Sequence, residues 1–162
     1  MTDFLVSLQS TPLADWVLTS NYGYYILLAG HAIGMGIVVG TVLMLCIRTL
    51  GFSKDQPLMQ FERLLRVAGA GFLLNLGTGL ILFTANGPNL VKNPPFLMKI
   101  SLIVLGGVFL LALWRRLTSE QSVIANAVVT ASPQAKALAV ITLCLWLFAI
   151  MAGRLIAYTI DY

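Results

Sequence analysis

The chain contains a single histidine, His31, which lies within the apolar stretch LLAGHAIGMGIVVG. Two cations, Lys99 and Arg154, also lie near the ends of long apolar stretches. A charged side chain at the centre of a membrane-spanning helix costs roughly 2.5–3.5 kcal/mol on insertion scales, so each such group needs a partner or a task. A neutral imidazole is a good iron ligand, and two cations can neutralise a pair of carboxylates. These three side chains carry the chemistry that the sequence offers.

Haem b has the complementary features, because it presents an iron atom to ligate and two propionates at one edge. At about 1.5 Å per residue, His31 lies about 12 Å from the start of its apolar stretch at Gly23, whereas Lys99 and Arg154 lie closer to the ends of theirs. All three would occupy the same half of the bilayer. This order of depths predicts His31 as an axial iron ligand, with Lys99 and Arg154 at the propionates.

Other residues near His31 contribute to the same hypothesis. Gly34 follows His31 by one helical turn and would let a porphyrin plane approach the helix, so we predict that it belongs to the cofactor site. Met98 and Met151, on other helices, are candidates for a sixth iron ligand. No other histidine is present, so His31 is the metal ligand that we predict, and the sixth position stays open.

Each of these residues also has a purely structural explanation. A lone histidine within a span often forms an interhelical hydrogen bond, here with Asn75 or Thr78. Lys99 and Arg154 are near enough to the membrane boundary for their charged ends to reach water. However, the apolar stretches contain no acidic residue to pair with these cations, which favours a bound anionic group as the missing counter-charge.

The elements that must position these residues are membrane helices. Hydrophobic residues make up 59% of the 162-residue chain, charged residues make up 10%, and the mean hydropathy is +0.90. A membrane-spanning helix needs about 20 mainly apolar residues. We predict an all-α, up-down four-helix bundle that forms a single membrane domain over residues 1–162, with spans at about residues 23–47, 64–85, 96–114 and 137–158.

The segment that precedes the first span predicts one further, short helix. Thr11 followed by Pro12 is typical of an N-cap with proline at the first helical position. Leu13, Trp16 and Val17 then share one face of the helix. We therefore expect a surface helix over residues 11–20 that lies in the membrane interface.

The distribution of basic residues predicts the orientation of the bundle. Seven of the ten basic residues flank the first and third loops: Arg48, Lys54, Arg63, Arg66, Arg115, Arg116 and Lys136. The other three lie on the opposite side: Lys92, Lys99 and Arg154. By the positive-inside rule, those two loops are cytoplasmic, so both termini face the periplasmic side of a bacterial inner membrane. Five tyrosines near the outer ends suit an aromatic belt: Tyr22, Tyr24, Tyr25, Tyr158 and Tyr162. The net charge of +4 is a topology signal and does not indicate nucleic-acid binding.

Two sequence motifs carry a resemblance to known membrane proteins. The first is GHAIGMGIVVG in the first span, with His31, Gly34 and Gly36, and the second is PPFLMKISLIVL at the start of the third, with Phe96 and Lys99. The chain resembles the copper-resistance D-type proteins and the four-helix membrane protoporphyrinogen oxidases, which are haem-associated, and also a bacterial family of four-span proteins of unassigned function. The resemblance implies a haem-binding bundle, but b-type cytochromes of this architecture usually hold the iron between two histidines, and this chain has one.

Two classes of function remain open from the sequence. One is a haem b-binding membrane subunit that carries out electron transfer or redox chemistry. The other is a non-catalytic accessory or structural subunit of a larger membrane complex, in which His31 is only hydrogen-bonded. In either class we expect contact with the lipid bilayer and either a homo-oligomer or a place in a larger complex. Whether the chain is an enzyme stays open, because porphyrinogen oxidation would require an electron acceptor that the sequence does not show.

Overall fold

Four long helices account for most of the chain. The computed structural model describes residues 2–52, 58–123 and 131–159, so Lys54 and Tyr162, which entered the charge and aromatic patterns, lie outside the described residues. The helices are α1 (Thr2–Gln9), α2 (Pro12–Thr19), α3 (Gly23–Leu50), α4 (Leu58–Leu90), α5 (Pro94–Val123) and α6 (Pro133–Thr159). Each of α3 to α6 contains a stretch long and apolar enough to cross a membrane. The prediction of an all-α, four-helix membrane fold is confirmed.

The four long helices associate as two hairpins. Within the described residues, α3 packs closely along α4, α5 packs closely along α6, and α3 with α6 joins the two hairpins. The core between the hairpins includes Val42, Leu45, Leu113, Ala139 and Trp146. α4 and α5 follow one another after a short connection, yet they are not among the helix pairs whose backbones pack closely. Side chains do meet between these two helices, since the rings of Phe83 on α4 and Phe96 on α5 are stacked.

Side-chain hydrogen bonds close both ends of the α5–α6 hairpin. At the end near α2, here called the α2 end, Asn93 Nδ2 donates to Thr159 Oγ1 at 2.9 Å. At the opposite end, the Ser132 backbone N–H donates to Glu120 Oε2 at 3.2 Å, and the Ser132 hydroxyl donates to Glu120 Oε1. Ser132 Oγ also accepts from the Ala135 backbone N–H at 3.2 Å, which caps the start of α6. These bonds hold α5 and α6 in register.

The helices run beyond the predicted spans. α3 ends at Leu50 and is followed by Gly51, whose φ of 108° lies in the left-handed region that favours glycine. The second span was predicted to end at Ala85, but α4 continues to Leu90 across a break at Asn86, where φ is −141° and ψ is 27°. Pro88 follows the break, and proline is tolerated in the first turn of a helix because that turn's N–H groups lack helical acceptors. Asn86 therefore ends one helical segment, and a second, short segment continues to Leu90.

Two short helices cover the α2 end of α4. Thr11 caps α2, since its Oγ1 accepts a hydrogen bond from the Ala14 backbone N–H at 3.3 Å. Ala14 and Val17 are the buried residues of α2, whereas Trp16 is 48% exposed. The sequence did not predict α1, which packs against α4, and Gln9 Nε2 donates to the carbonyl of Ala85 beside the break in α4 at 3.1 Å.

Candidate functional site

The imidazole of His31 lies at the junction of three helices. His31 belongs to α3, and both of its ring nitrogens face polar groups of other helices. Nδ1 lies 3.3 Å from the hydroxyl oxygen of Thr78 on α4. Nε2 lies 3.2 Å from Nζ of Lys99 on α5. The ring therefore bridges the two helices whose backbones do not pack closely.

The backbone of His31 is also bound to α4. Asn75, which is buried, donates a hydrogen bond from Nδ2 to the carbonyl oxygen of His31 at 2.6 Å. The structural explanation offered for His31, an interhelical hydrogen bond with Asn75 or Thr78, is confirmed for both residues. Asn75 holds the main chain and Thr78 holds the ring. A buried amide and a hydroxyl one turn apart on one helix thus fix the position of the imidazole.

Glycines bring α3 and α4 close enough for these contacts. A Cβ atom built on Gly34 would lie 2.6 Å from the carbonyl oxygen of Gly71, and one built on Gly79 would lie 3.0 Å from Cε1 of His31. The lack of side chains lets the helix backbones approach in the manner of small-residue motifs in membranes. In this structure α4 fills the space beside Gly34. The place of Gly34 in a cofactor site stays a prediction.

Lys99 reaches His31 across the surface of α6. A Cβ atom built on Gly153 would lie 3.4 Å from Cδ and Cε of Lys99, so the aliphatic part of the lysine packs against the glycine. Lys99 is half-buried, and its amine lies at His31 Nε2. The sequence predicted that these two residues share a depth, but it did not predict their direct contact.

Arg154 follows Gly153 but has a different environment. Its side chain is exposed, and no hydrogen bond or ion pair joins it to another residue in the described part of the chain. The structure therefore brings two of the three predicted ionisable residues together, His31 and Lys99, and leaves Arg154 beside them without contact. Arg154 follows that glycine by one residue, so its backbone lies at the same level of α6.

Two stacked aromatic rings lie between the His31–Lys99 pair and the α2 end. Phe83 on α4 and Phe96 on α5 have ring centroids 5.9 Å apart, at an interplanar angle of 20°. Phe96 precedes Lys99 by one helical turn. On α4, Gly79 packs against His31, and Phe83 follows Gly79 by one turn. Each ring is thus displaced from the polar pair toward the α2 end of its helix. The rings therefore form an apolar layer on the α2 side of the polar pair.

The remaining candidate ligands lie elsewhere. Met98 and Met151 are exposed by 46% and 60%. Cys46 and Cys144 are both free thiols. Across residues 2–52, 58–123 and 131–159, no group of three or more His, Cys, Asp or Glu side chains could hold a metal ion. His31 is the one imidazole that the chain brings to this site.

Within the described residues, no ion pair joins Lys99 or His31 to an acidic side chain. In the described parts of α3 to α6, the acidic residues are Glu62 and Glu120, and both lie toward the end opposite α2. Glu120 is already bonded to Arg116 at 2.8 Å.

No family model, curated protein or solved structure matches this chain. The candidate site is therefore defined by the geometry around His31 and Lys99.

Proposed function

We propose that this chain is a haem b-binding membrane subunit that carries out electron transfer or redox chemistry, with His31 as the axial ligand. The observation that carries this proposal is the contact between the only imidazole and a lysine amine, 3.2 Å apart at Nε2 and Nζ. Both groups lie in apolar helices away from Glu62 and Glu120. A dianionic ligand with a central iron atom would satisfy the imidazole and the cation together.

The residues present fit a haem that is bound through one imidazole. His31 supplies a single ring nitrogen for iron, and no second imidazole exists in the chain. Lys99 now occupies the position at Nε2, so it would have to leave this atom, which its flexible side chain permits. Its ammonium group and the guanidinium of the exposed Arg154 would then pair with the propionates. The site therefore suits a five-coordinate haem better than a bis-histidine one.

Within this proposal, each residue of the site has a definite task. Haem b, when bound, supplies one-electron chemistry at its iron. Asn75 holds the main chain of His31 by donating to its carbonyl oxygen, and Thr78 holds the imidazole at Nδ1. Lys99 supplies positive charge in a region of low dielectric, where an opposite charge is strongly favoured. Phe83 and Phe96 limit the access of water from the α2 end.

A second candidate function rests on a different aspect of the same geometry. Both ring nitrogens of His31 already have partners within the chain, as expected for a purely structural histidine. In that case the chain is a non-catalytic accessory or structural subunit of a larger membrane complex. The pair of short helices at the α2 end would then be available to a neighbouring subunit.

The cellular setting is part of the proposal. The chain is a multi-pass membrane protein by the length and apolar character of α3 to α6. We place it in a bacterial inner membrane, with both termini on the periplasmic side, as a homo-oligomer or within a larger complex. The exposure of Tyr22 (73%), Tyr25 (68%) and Tyr158 (78%) at the α2 end supports an interfacial aromatic belt there.

The absorption spectrum of the purified protein tests this function. The protein is expressed with ample haem supply, extracted in detergent and examined in the oxidised and reduced states. We expect a Soret band, sharp visible bands on reduction and about one haem per chain. Replacement of Cys144 by alanine, which removes an exposed thiol, should leave the spectrum unchanged. A colourless but monodisperse preparation would support the accessory subunit in place of the haem protein.

A further inference from the structure

The hydrogen bonds of Thr78 determine where its hydroxyl proton lies. Thr78 Oγ1 lies 2.7 Å from the carbonyl oxygen of Leu74 and 3.1 Å from that of Asn75. Two oxygen atoms at 2.7 Å need a proton between them, and a carbonyl has none to give. The hydroxyl proton of Thr78 therefore points to the backbone of its own helix.

This assignment fixes the role of the neighbouring imidazole nitrogen. Nδ1 of His31 lies 3.3 Å from the same Thr78 oxygen, which has already used its only proton. The contact is a hydrogen bond only if Nδ1 carries a proton and donates it to Oγ1. In a neutral imidazole, the other ring nitrogen, Nε2, is then the unprotonated acceptor.

The second contact of the ring agrees with this tautomer. Lys99 Nζ lies 3.2 Å from Nε2 and carries protons in either of its charge states, so it can donate to a free lone pair there. A proton on Nε2 as well would give a cationic ring beside the lysine. Thr78 and Lys99, on different helices, therefore favour the same arrangement of protons.

We propose that Thr78 is a positioning residue that holds His31 in the Nδ1–H tautomer and so directs the Nε2 lone pair toward Lys99. Hydrogen bonds from the distal nitrogen of a ligating histidine commonly fix the tautomer and orientation of the ring. The consequence for iron rests on the proposed function, because Nε2 is then the only nitrogen available for ligation. The tautomer itself does not depend on haem.

Nitrogen NMR of the haem-free, full-length protein with ¹⁵N-labelled histidine tests the proposal. The chain has one histidine, so the imidazole signals have a single origin. Protonated and unprotonated ring nitrogens differ widely in chemical shift. We expect Nδ1 to be protonated and Nε2 unprotonated in the wild type. A protonated Nε2 with an unprotonated Nδ1 would overturn the proposal.

Variants separate the effect of Thr78 from that of Lys99, which favours the same tautomer. In Lys99→Met, we expect the Nδ1–H form to remain the major one. Adding Thr78→Val, which keeps the shape but removes the acceptor, should reduce the ratio of the Nδ1–H to the Nε2–H form by about tenfold, equivalent to about 1.4 kcal/mol. Thr78→Ser in the Lys99→Met background, in place of Thr78→Val, keeps the acceptor and should retain the ratio of Lys99→Met alone. A general packing defect at position 78 would not give this result. Equal ratios in Lys99→Met with and without Thr78→Val would refute the assignment of this role to Thr78.

Discussion

Lys99 Nζ lies 3.2 Å from His31 Nε2, although 68 positions separate the two residues in the chain. At this distance and an effective dielectric constant of about 20, two positive charges would repel by roughly 5 kcal/mol. The contact therefore indicates that the two groups are not both charged, and a neutral imidazole that accepts from the lysine satisfies this condition. A neutral imidazole is also the form that ligates iron.

Replacement of Lys99 by glutamine should weaken haem binding without abolishing it. Loss of a charge-assisted hydrogen bond costs about 1.5–3 kcal/mol, while the release of Nε2 from its present partner returns about 0.5–1.5 kcal/mol. The expected net effect is roughly a tenfold higher Kd, as measured by haem titration of the haem-free protein. Arg154→Gln should also raise the Kd, and Lys99→Arg, which keeps the charge, should stay near the wild type. Tighter binding by Lys99→Gln would show that the lysine only blocks the site.

The sequence predicts the elements well because membrane helices are specified by composition and local signals. The long apolar stretches identified four helices, and Thr11 with Pro12 identified the start of α2. Contacts between distant residues depend on the rotation of each helix about its axis. The sequence did not determine that rotation, so the prediction gave His31 and Lys99 a common depth but no contact.

The role of Gly34 shows the same limit. A glycine one turn from a histidine is equally compatible with a nearby cofactor and with a nearby helix, and the sequence did not place α4 beside it. The continuation of α4 beyond Asn86 was missed for a local reason. A glycine and a proline are typical of a loop, but proline also fits the first turn of a new helical segment.

Replacement of Gly34 by alanine should destabilise the bundle. The new methyl group would lie 2.6 Å from the carbonyl oxygen of Gly71, and helix backbone cannot move away cheaply. Overpacking of this kind typically costs about 1–3 kcal/mol. Gly36→Ala is the matched control, because a Cβ atom there meets nothing within 4 Å. Thermal unfolding in detergent should give a lower midpoint for Gly34→Ala than for Gly36→Ala, and equal midpoints would contradict the close helix contact.

Removal of either stacked ring should expose Lys99 to water from the α2 end. Phe83→Ala or Phe96→Ala opens the apolar layer beside the His31–Lys99 pair. Phe109→Ala is the control, because Phe109 lies on α5 like Phe96 but ten residues after Lys99. The measurement is labelling by a water-soluble amine reagent, read at each lysine by peptide mass spectrometry. Labelling of Lys99 should increase severalfold in the first two variants only, while labelling of the exposed Lys92 stays constant. Rapid labelling of Lys99 in the wild type would argue against a shielding role for the rings.

The haem spectrum of His31→Ala tests the central claim most directly. One imidazole contributes little to the packing of four helices, and an interhelical polar contact in a membrane is worth about 0.6 kcal/mol on average, so the variant should remain folded and monodisperse. Under expression conditions that load the wild type, we predict that His31→Ala shows no Soret band and no sharp bands on reduction. A spectrum identical to that of the wild type would contradict the assignment of His31 as the iron ligand.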